Sequence, residues 1–291
     1  MIKIQNIKKQ TMQLLMIIAI IAWGSAWVNL KIVTEYINEF EALFFRFFIS
    51  SLVLFPILLY RKESLKLDIQ NFLVLFLSSL LMIGYLKYIF LGTQLGTASL
   101  ASTLSSILIP IFTFLFLWII GKNSISKKEI FALCLGTLGI AMILNIWTIP
   151  LHEILVPYNL YLFLASSLWA ILAIIKGYSK ISPLLFTFYL SLFITILDMI
   201  FFVDVFAIEY TKLDHTFWLN IALLSLVATT FANLIYFIAI ENIGANKASS
   251  FMFLEPFVAI ALSAIFLKET ITITLIIGTI LTLVAVKFLN D

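Results

Sequence analysis

The chain has 291 residues, of which 63% are hydrophobic and 11% are charged, and its mean hydropathy is +1.14. A soluble domain carries about 25% charged residues, so this composition excludes a protein whose whole surface faces water. The formal net charge is only +3, and the single cysteine, Cys134, excludes an intrachain disulfide and a Cys/His metal cluster.

Ten apolar runs follow one another along the chain, each near the length of about 20 residues that a helix needs to cross a membrane. Runs such as LLMIIAII do not alternate apolar and polar residues as the strands of a membrane barrel do. The sequence therefore predicts an all-α integral membrane protein with ten transmembrane helices. The predicted helices are 12–33, 41–60, 70–91, 97–120, 129–147, 157–176, 183–204, 217–241, 246–267 and 270–289.

The first run includes the stretch IIAIIAWGSAWVNLKIV, in which Gly24 and Ser25 stand between two tryptophans. Small residues after an apolar run are also typical of a cleavable signal peptide. This run is longer than the 7–15 apolar residues of such a signal, and it has a counterpart in mid-chain, where no cleavage applies. We therefore predict that helix 1 is retained.

Basic residues gather at alternate helix ends. If the amino terminus is cytoplasmic, thirteen basic residues lie at inner ends and four at outer ends, which the positive-inside rule favours. We predict that both termini are cytoplasmic and that the basic excess reports topology, with no nucleic-acid partner. The inner residues are Lys3, Lys8, Lys9, Arg61, Lys62, Lys66, Lys122, Lys127, Lys128, Lys176, Lys180, Lys247 and Lys287; the outer ones are Lys31, Lys87, Lys212 and Lys268.

The chain repeats itself at the offset of 146 residues that separates Trp23 from Trp169. The same ungapped offset matches Pro110 with Pro256, Lys122 with Lys268, Ile125 with Ile271, and Gly139 with Ala285. We predict two repeats, 1–150 with helices 1–5 and 151–291 with helices 6–10. Because five is odd, the second repeat enters the membrane from the opposite side. Inverted repeats are typical of secondary transporters, whose binding site lies near the midplane between the repeats.

Three segments carry a family resemblance: WGSAWVNLKI in helix 1, EALFFRFFISSLVLFP in helix 2, and LEPFVAIALSAIFLKETITITLIIGTILTLVAV in helices 9 and 10. They resemble the drug/metabolite transporter superfamily, specifically its EamA-type members. The first repeat departs from this pattern, with Asn123 where Glu269 stands in the second and Ala132 where the glycine Gly278 stands. The resemblance implies a ten-helix inverted repeat around a central cavity that moves small metabolites by alternating access. It leaves the substrate open, since the family spans amino acids, nucleotide sugars, purines and xenobiotics.

Glu255 stands in the middle of helix 9, where a charged group costs about 2.5–3.5 kcal/mol on insertion scales. One interpretation is a coupling carboxylate that binds a proton or a cationic group in a cavity. The other is a protonated or locally paired residue that only stabilises its helix. Its neighbour Pro256 and the matched Pro110 remove backbone donors, so we expect these two prolines to act as gating hinges, with static kinks as the alternative.

Three further charges lie near the outer ends of predicted helices 2, 3 and 7: Arg46, Lys87 and Asp198. The long side chains of Arg46 and Lys87 either snorkel to the interface or form a positive rim at the outer mouth. Asp198 is a possible ion-pair partner for one of them. Lys87 falls on Asn233 at the repeat offset, which predicts two equivalent positions facing the cavity.

Ser25 and Asn29 are four residues apart and share one face of helix 1, which we expect to face the cavity, while Trp23 and Trp27 share another face. Aromatic walls are common in small-molecule pockets, although ordinary packing or the interfacial belt also explains each ring. The predicted substrate-binding residues are Trp23, Ser25, Asn29, Lys87, Tyr88, Trp169, Asn233 and Tyr236. Predicted helix-packing residues are Gly136, Gly139, Gly278 and Ala285.

The sequence has no ATP-binding motif, so transport must be driven by a gradient. We predict a secondary carrier of the cytoplasmic (inner) membrane that exports an amino acid or similar small metabolite, with proton coupling as an option. The alternatives are an uncoupled facilitator or channel-like pore, a membrane enzyme and a structural scaffold. An enzyme is disfavoured because the only histidines, His152 and His215, lie in predicted loops. We expect a small-molecule substrate and the lipid bilayer as partners, and no cofactor or metal.

Overall fold

The computed structural model describes residues 9–122, 126–144, 147 and 157–290, and in these residues the regular structure is entirely helical. We number the helices in chain order and treat α8 and α9 as continuous helices built from segments of different pitch. The helices are α1 (Lys9–Val33), α2 (Glu39–Arg61), α3 (Ile69–Leu95), α4 (Ala98–Ile119), α5 (Lys127–Leu144), α6 (Pro157–Lys176), α7 (Pro183–Phe201), α8 (His215–Ile243), α9 (Ala245–Phe266) and α10 (Ile273–Asn290). Predictions that rest on Lys3, Lys8, Asn123, Ile125 and His152 lie outside the described residues.

Eight of these helices, α1–α4 and α6–α9, are long and apolar enough to cross a membrane. The apolar parts of α5 and α10 are shorter, Ile130–Ile143 and Ile273–Ala285. Each of the ten predicted apolar runs corresponds to an observed helix, and the chain is an all-helical, multi-pass membrane protein. That α5 and α10 also span the membrane stays a prediction.

Helix ends differ from the predicted ones by a few residues because local hydrogen bonds decide them. Before α2, the side chain of Asn38 accepts from the backbone N–H of Glu41, and the Glu41 carboxylate accepts from the N–H of Asn38, a capping box that starts the helix at Glu39. Helix α7 was predicted to reach residue 204 but ends at Phe201. There the N–H groups of Phe202 and Val203 both donate to the carbonyl of Asp198, which closes the last turn.

The arrangement of the bundle is set by six pairs of packed helices. Helix α1 packs against α8 and α9, and α6 packs against α3 and α4. Helix α2 packs against α7, while α5 and α10 pair with each other at one side. One continuous cluster of buried apolar side chains runs from α1 to α9. Helices α1 and α6, with their neighbours, therefore surround the centre of the protein.

Two helices change pitch beside this centre. Helix α8 is π-helical over Leu224–Ala232, and α9 has a 3-10 turn, Phe251–Leu254, directly before Glu255. Pro256 has no N–H and cannot continue a regular α-helix from the preceding turn. Pro110, its partner at the repeat offset, lies inside the uninterrupted helix α4. The two matched prolines thus sit in different local structures, and their role as hinges remains a prediction.

The α5–α10 contact depends on small residues, as predicted. A Cβ atom added to Gly139 would lie 2.5 Å from Cγ2 of Thr282 and 2.8 Å from the carbonyl oxygen of Gly278. A Cβ atom on Gly136 would instead make an ordinary contact of 3.7 Å with Cβ of Ala285. The helices therefore approach most closely at Gly139, where a side chain has no space.

We expect Gly139→Ala to lower the thermal unfolding temperature of the detergent-purified protein, because overpacking of a tight contact costs about 1–3 kcal/mol. Gly136→Ala is the matched control on the same helix and should leave this temperature unchanged or raise it slightly, since alanine favours helix. Equal unfolding temperatures for the two variants would contradict the assigned packing.

Candidate functional site

A partly open cavity of about 50 Å³ lies where six helices meet. Its walls come from α1, α2, α3, α6, α8 and α9, so both predicted repeats contribute. Apolar side chains from α1, α3, α8 and α9 form much of the wall. The chemically distinctive lining residues are Trp23, Trp27, Arg46, Tyr85, Trp169, Asn233 and Glu255.

The carboxylate of Glu255 enters the cavity from α9, at the point where the 3-10 turn ends. The side chain is 3% exposed, and its Oε1 accepts a hydrogen bond from Nε1 of Trp27 on α1. The side chain of Ser106, on α4, also interacts with this carboxylate. The acidic group therefore contacts α1 and α4 from its position on α9, and it lines the cavity.

Trp23 connects α1 to the π-helical part of α8. Its Nε1 lies 3.1 Å from the carbonyl oxygen of Ala228 and 3.2 Å from Oδ1 of Asn233, and it donates to both. Its ring meets Trp169 and Tyr236 edge to face, with centroids 5.5 Å and 5.2 Å apart, a favourable geometry for aromatic pairs. Trp23 and Trp169, matched at the repeat offset, are thus in direct contact.

Trp169 has an unused hydrogen-bond donor. The side chain is 3% exposed and packs on Tyr85 with ring centroids 4.7 Å apart. Its Nε1 has no hydrogen-bond partner among the described residues. A buried donor without a partner costs about 1–3 kcal/mol, so this N–H marks a place where an acceptor from a ligand or a water molecule is expected.

Arg46 reaches the cavity from α2. Its Nε donates to Oγ1 of Thr229 at 3.2 Å, and its terminal nitrogens have no hydrogen bond to the described residues. The two sequence-based interpretations, a side chain that snorkels to the interface and a positive rim at the outer mouth, stay predictions. Arg46 lines the same cavity as Glu255, and no ion pair joins these two residues in the described structure.

Ser25 and Asn29 do not line this cavity, contrary to the prediction for the polar face of α1. The hydroxyl of Ser25 donates to the carbonyl of Ala22 at 2.8 Å, within its own helix. Helix α1 turns the face with Trp23 and Trp27 to the cavity, because those indole N–H groups find acceptors on α8 and α9.

Three other predicted binding residues also lie away from the cavity lining. Nζ of Lys87 lies 5.4 Å from the centroid of the Phe40 ring, and Tyr88 stacks on Tyr161 at 5.7 Å. Tyr236 is fully buried behind the cavity wall, where its hydroxyl shares a 2.7 Å hydrogen bond with Ser249. Of the two positions predicted to be equivalent, Asn233 lines the cavity and Lys87 does not.

Asp198 is the remaining predicted charge. It is fully buried on α7, and neither carboxylate oxygen has a hydrogen-bond partner among the described residues. The suggested pairing with Arg46 or Lys87 is absent from the described structure.

A second polar feature holds the connection between α3 and α4, and we call it the α3–α4 clamp, formed by Lys31 and Glu269. Nζ of Lys31, at the end of α1, donates to the carbonyl oxygens of Thr93 (2.9 Å), Gln94 (3.1 Å) and Gly96 (2.9 Å). These groups belong to the end of α3, where free carbonyls and the negative end of the helix dipole favour a cation.

The other half of the clamp binds the start of α4. The carboxylate of Glu269, in the α9–α10 connection, accepts from the backbone N–H groups of Ala98 (2.9 Å) and Ser99 (3.1 Å), and from the Ser99 hydroxyl (2.6 Å). An anion at this position satisfies free donors and complements the positive end of the helix dipole. The clamp thus ties α1 and the α9–α10 connection to one short turn.

Comparison with known proteins shows which class of protein has this architecture. An S-adenosylmethionine uptake transporter of Rickettsia prowazekii (strain Madrid E) is 28% identical over 262 residues, which cover 84% of each chain. The uncharacterized transporter YvbV of Bacillus subtilis (strain 168) is 25% identical over 98% of this chain and 93% of its own. A solved crystal structure with 16% identity superposes with a TM-score of 0.73 over 97% of this chain and 96% of its own, and it supports the fold alone.

The multi-pass helical fold and the named relatives define a membrane transporter and point away from an enzyme. The chain belongs to the EamA-like transporter family, whose model matches residues 10–145 and 156–290. The family resemblance found in the sequence is therefore confirmed.

Sequence reasoning missed several residues that the structure brings together. Trp27 shares the helical face of Trp23, four residues away, so this spacing was the available signal, but Trp27 was not among the predicted binding residues. Tyr85 carried no signal of its own. Lys31 was counted only for topology, and Glu269 only for family resemblance, because their partners are backbone groups 62–65 and 170–171 residues away.

We expect Glu269→Ala to lower the thermal unfolding temperature, because two helix-start donors and a hydroxyl lose their acceptor, a loss of about 1–2 kcal/mol. Glu209→Ala is the control, since Glu209 forms an exposed ion pair with Lys212 that contributes little. An equal response of both variants in detergent-solubilised protein would contradict the capping role of Glu269.

Proposed function

We propose that this protein is a gradient-driven secondary carrier that moves an amino acid or similar small metabolite across the cytoplasmic membrane by alternating access. The observation that carries the proposal is the central cavity, which is lined by both halves of the chain and contains polar groups that lack partners. Its volume of about 50 Å³ holds a few water molecules at most. A metabolite therefore enters only when the surrounding helices move apart.

The movement that we propose is an exchange between two inverted repeats, residues 1–150 and 151–291. Three observations support it. The family model matches each half separately. The contacts of α1 with α8 and α9 correspond to those of α6 with α3 and α4. The Gly136–Ala285 contact maps onto the Gly139–Thr282 contact at the same offset, as expected for a two-fold-related interface.

With both termini in the cytoplasm, the α3–α4 clamp lies on the outer side of the membrane. The clamp links α1 and the segment between α9 and α10 to the turn between α3 and α4. These elements come from both halves of the chain. We infer that it holds the outer side closed in this conformation, and that release of Lys31 or Glu269 accompanies opening to the outside.

The direction of net transport depends on the gradient. Our sequence-based expectation is export, whereas the Rickettsia prowazekii relative is named for uptake of S-adenosylmethionine. A carrier with two similar halves functions in either direction. S-adenosylmethionine therefore belongs, with the amino acids, among the first compounds tested.

Glu255 is the group that we propose for coupling. It is a buried carboxylate that lines the cavity, so it can exchange a proton or a cationic group as the cavity opens to each side. The same position explains why an acidic group is tolerated at this depth, because it faces a cavity that Arg46 and Asn233 also line and not lipid.

In proteoliposomes, a transported compound loaded inside should stimulate uptake of the same labelled compound, as expected for a carrier. Glu255→Gln should abolish the response to a pH gradient, because the amide cannot bind the coupled proton. Asp198→Asn is the matched control, a buried carboxylate of a spanning helix outside the cavity lining, and should keep the response.

Uptake without counterflow stimulation would favour the facilitator or channel-like pore. Full pH-gradient-driven transport by Glu255→Gln would exclude proton coupling through this residue, while counterflow would still support the carrier.

The orientation can be tested in a Cys134→Ser background with single cysteines at Ala207, between α7 and α8, and at Ser64, between α2 and α3. Both positions are exposed. In intact cells, an impermeant maleimide should label Ala207→Cys and should label Ser64→Cys only after permeabilisation. The reverse pattern would invert the topology.

A further inference from the structure

A cleft of about 460 Å³ lies at one end of the bundle, and it shares no lining residue with the central cavity. The ends of α4, α6 and α8 and the start of α9 form it, so helices of both halves of the chain contribute. In the orientation that we propose, with both termini in the cytoplasm, it lies at the cytoplasmic leaflet, and we call it the inner cleft. Its lining includes Leu117, Lys122, Ile174, Tyr178, Asn246 and Lys247.

The polar side of the inner cleft is cationic. Lys122 and Lys247 line it, and no Asp or Glu is among the described lining residues. Nζ of Lys122 lies 4.1 Å from the centroid of the Tyr178 ring, a cation–π contact that keeps this ammonium group at the wall of the cleft. Neither lysine forms an ion pair with a described carboxylate. The cleft therefore presents positive charge that the described part of the chain does not neutralise.

The other end of the bundle shows which kind of group fits such a position. Helix α9 begins at Ala245 beside the inner cleft, and no side chain caps this start. The start of α4 at Ala98 matches it within one residue of the 146-residue offset, and there the Glu269 carboxylate accepts from two N–H groups. The residue that matches Glu269 in the first half is Asn123, which carries no charge. An anion from outside the chain therefore suits the inner cleft.

The inner cleft also has an apolar wall that faces away from water. Leu117 and Ile174 line it, and Leu117 stands five residues before Lys122, more than one helical turn deeper in the membrane. Next to Leu117, Trp118 and Ile119 are exposed on α4, as expected for a surface in contact with lipid at the membrane interface. The cleft thus combines a cationic rim with an apolar wall beside the lipid.

We propose that the inner cleft binds an anionic phospholipid of the cytoplasmic leaflet, with Lys122 and Lys247 holding its phosphate group and the apolar wall holding the start of an acyl chain. The cytoplasmic leaflet is rich in anionic lipids, and basic pockets between helices on this side bind their headgroups. Phosphate oxygens also accept from the ammonium groups and from free N–H groups at the start of α9. The bound lipid connects the end of α4 to the second half, as Glu269 connects its start.

The test is native mass spectrometry of the purified full-length protein in micelles that contain equal amounts of phosphatidylglycerol and phosphatidylcholine. Both lipids have a phosphate group, but the choline cation neutralises it in phosphatidylcholine. The wild type should retain phosphatidylglycerol in preference. Lys122→Gln and Lys247→Gln should each lower the ratio of bound phosphatidylglycerol to phosphatidylcholine about fivefold, because each removes one basic group from the headgroup.

Two further sets of variants separate the cleft from the basic surface around it. Lys127→Gln and Lys128→Gln are the matched controls, since these exposed lysines at the start of α5 do not line the cleft, and they should keep the wild-type ratio. Ile243→Trp fills the cleft without a change of charge and should lower the ratio severalfold. This variant provides a result even if the lysine variants are unstable.

Equal retention of the two lipids by the wild type would overturn the proposal, and so would a wild-type ratio in Lys122→Gln, Lys247→Gln and Ile243→Trp. A decrease of the same size in Lys127→Gln and Lys128→Gln would replace the site by a general attraction of the basic end of the protein to anionic lipid.

The source of the phosphate group is tested by the thermal unfolding temperature of lipid-free protein in detergent. Phosphatidylglycerol should raise this temperature in the wild type and less in Lys122→Gln and Lys247→Gln. A rise with inorganic phosphate and none with phosphatidylglycerol would overturn the lipid assignment in favour of a free anion. Both measurements are made without a gradient or a transported compound, so their outcome is independent of the transport proposal.

Discussion

The hydrocarbon interior of a membrane cannot hydrate polar groups, so each buried donor, acceptor or charge of this protein needs a partner inside the bundle. Much of the structure follows from this constraint. Lys31 and Glu269 satisfy the free carbonyls and N–H groups where α3 ends and α4 begins. Trp23 reaches the π-helical segment of α8, and Ser and Thr hydroxyls elsewhere in the helices bond back to carbonyls of their own helix. Satisfied groups of this kind hold helices together and need no ligand.

Because most buried polar groups have partners, those without a partner indicate where a ligand could bind. In the cavity they are the terminal nitrogens of Arg46 and Nε1 of Trp169. Both residues line the same small space as Glu255. A buried polar group without a partner needs a specific explanation, and a ligand that binds during the working cycle provides one. The same reasoning separates this site from Asp198, which is buried away from the cavity lining.

The two halves have the same order of helices but differ in local structure. Trp23 and Trp169 meet at the centre, yet the indole N–H of Trp23 is fully engaged and that of Trp169 is free. Pro256 follows a break in α9, whereas Pro110 lies in a regular helix. Glu269 caps α4, while the first half has asparagine at the matched position. In the alternating-access mechanism that we propose, the similarity of the halves would make the inward-open and outward-open states close in energy, and their differences would allow a single substrate site between them.

The sequence by itself determined that the protein lies in a membrane, how many helices it has and which family it belongs to. The lengths of the apolar runs, the basic loop residues and the Trp and Pro residues matched between the halves are local or periodic signals, and they can be recognised without knowledge of contacts. The sequence also singled out Glu255, Asn233, Trp23 and Trp169, which line the cavity, since polar or aromatic residues at membrane depth are unusual. Only the tertiary structure decided that α1 turns Trp27 and not Ser25 to the cavity, that Arg46 lines the same cavity, and that Lys31 and Glu269 bind one turn. These outcomes depend on which distant groups meet across helices, and helical periodicity states which residues share a face but not what that face contacts.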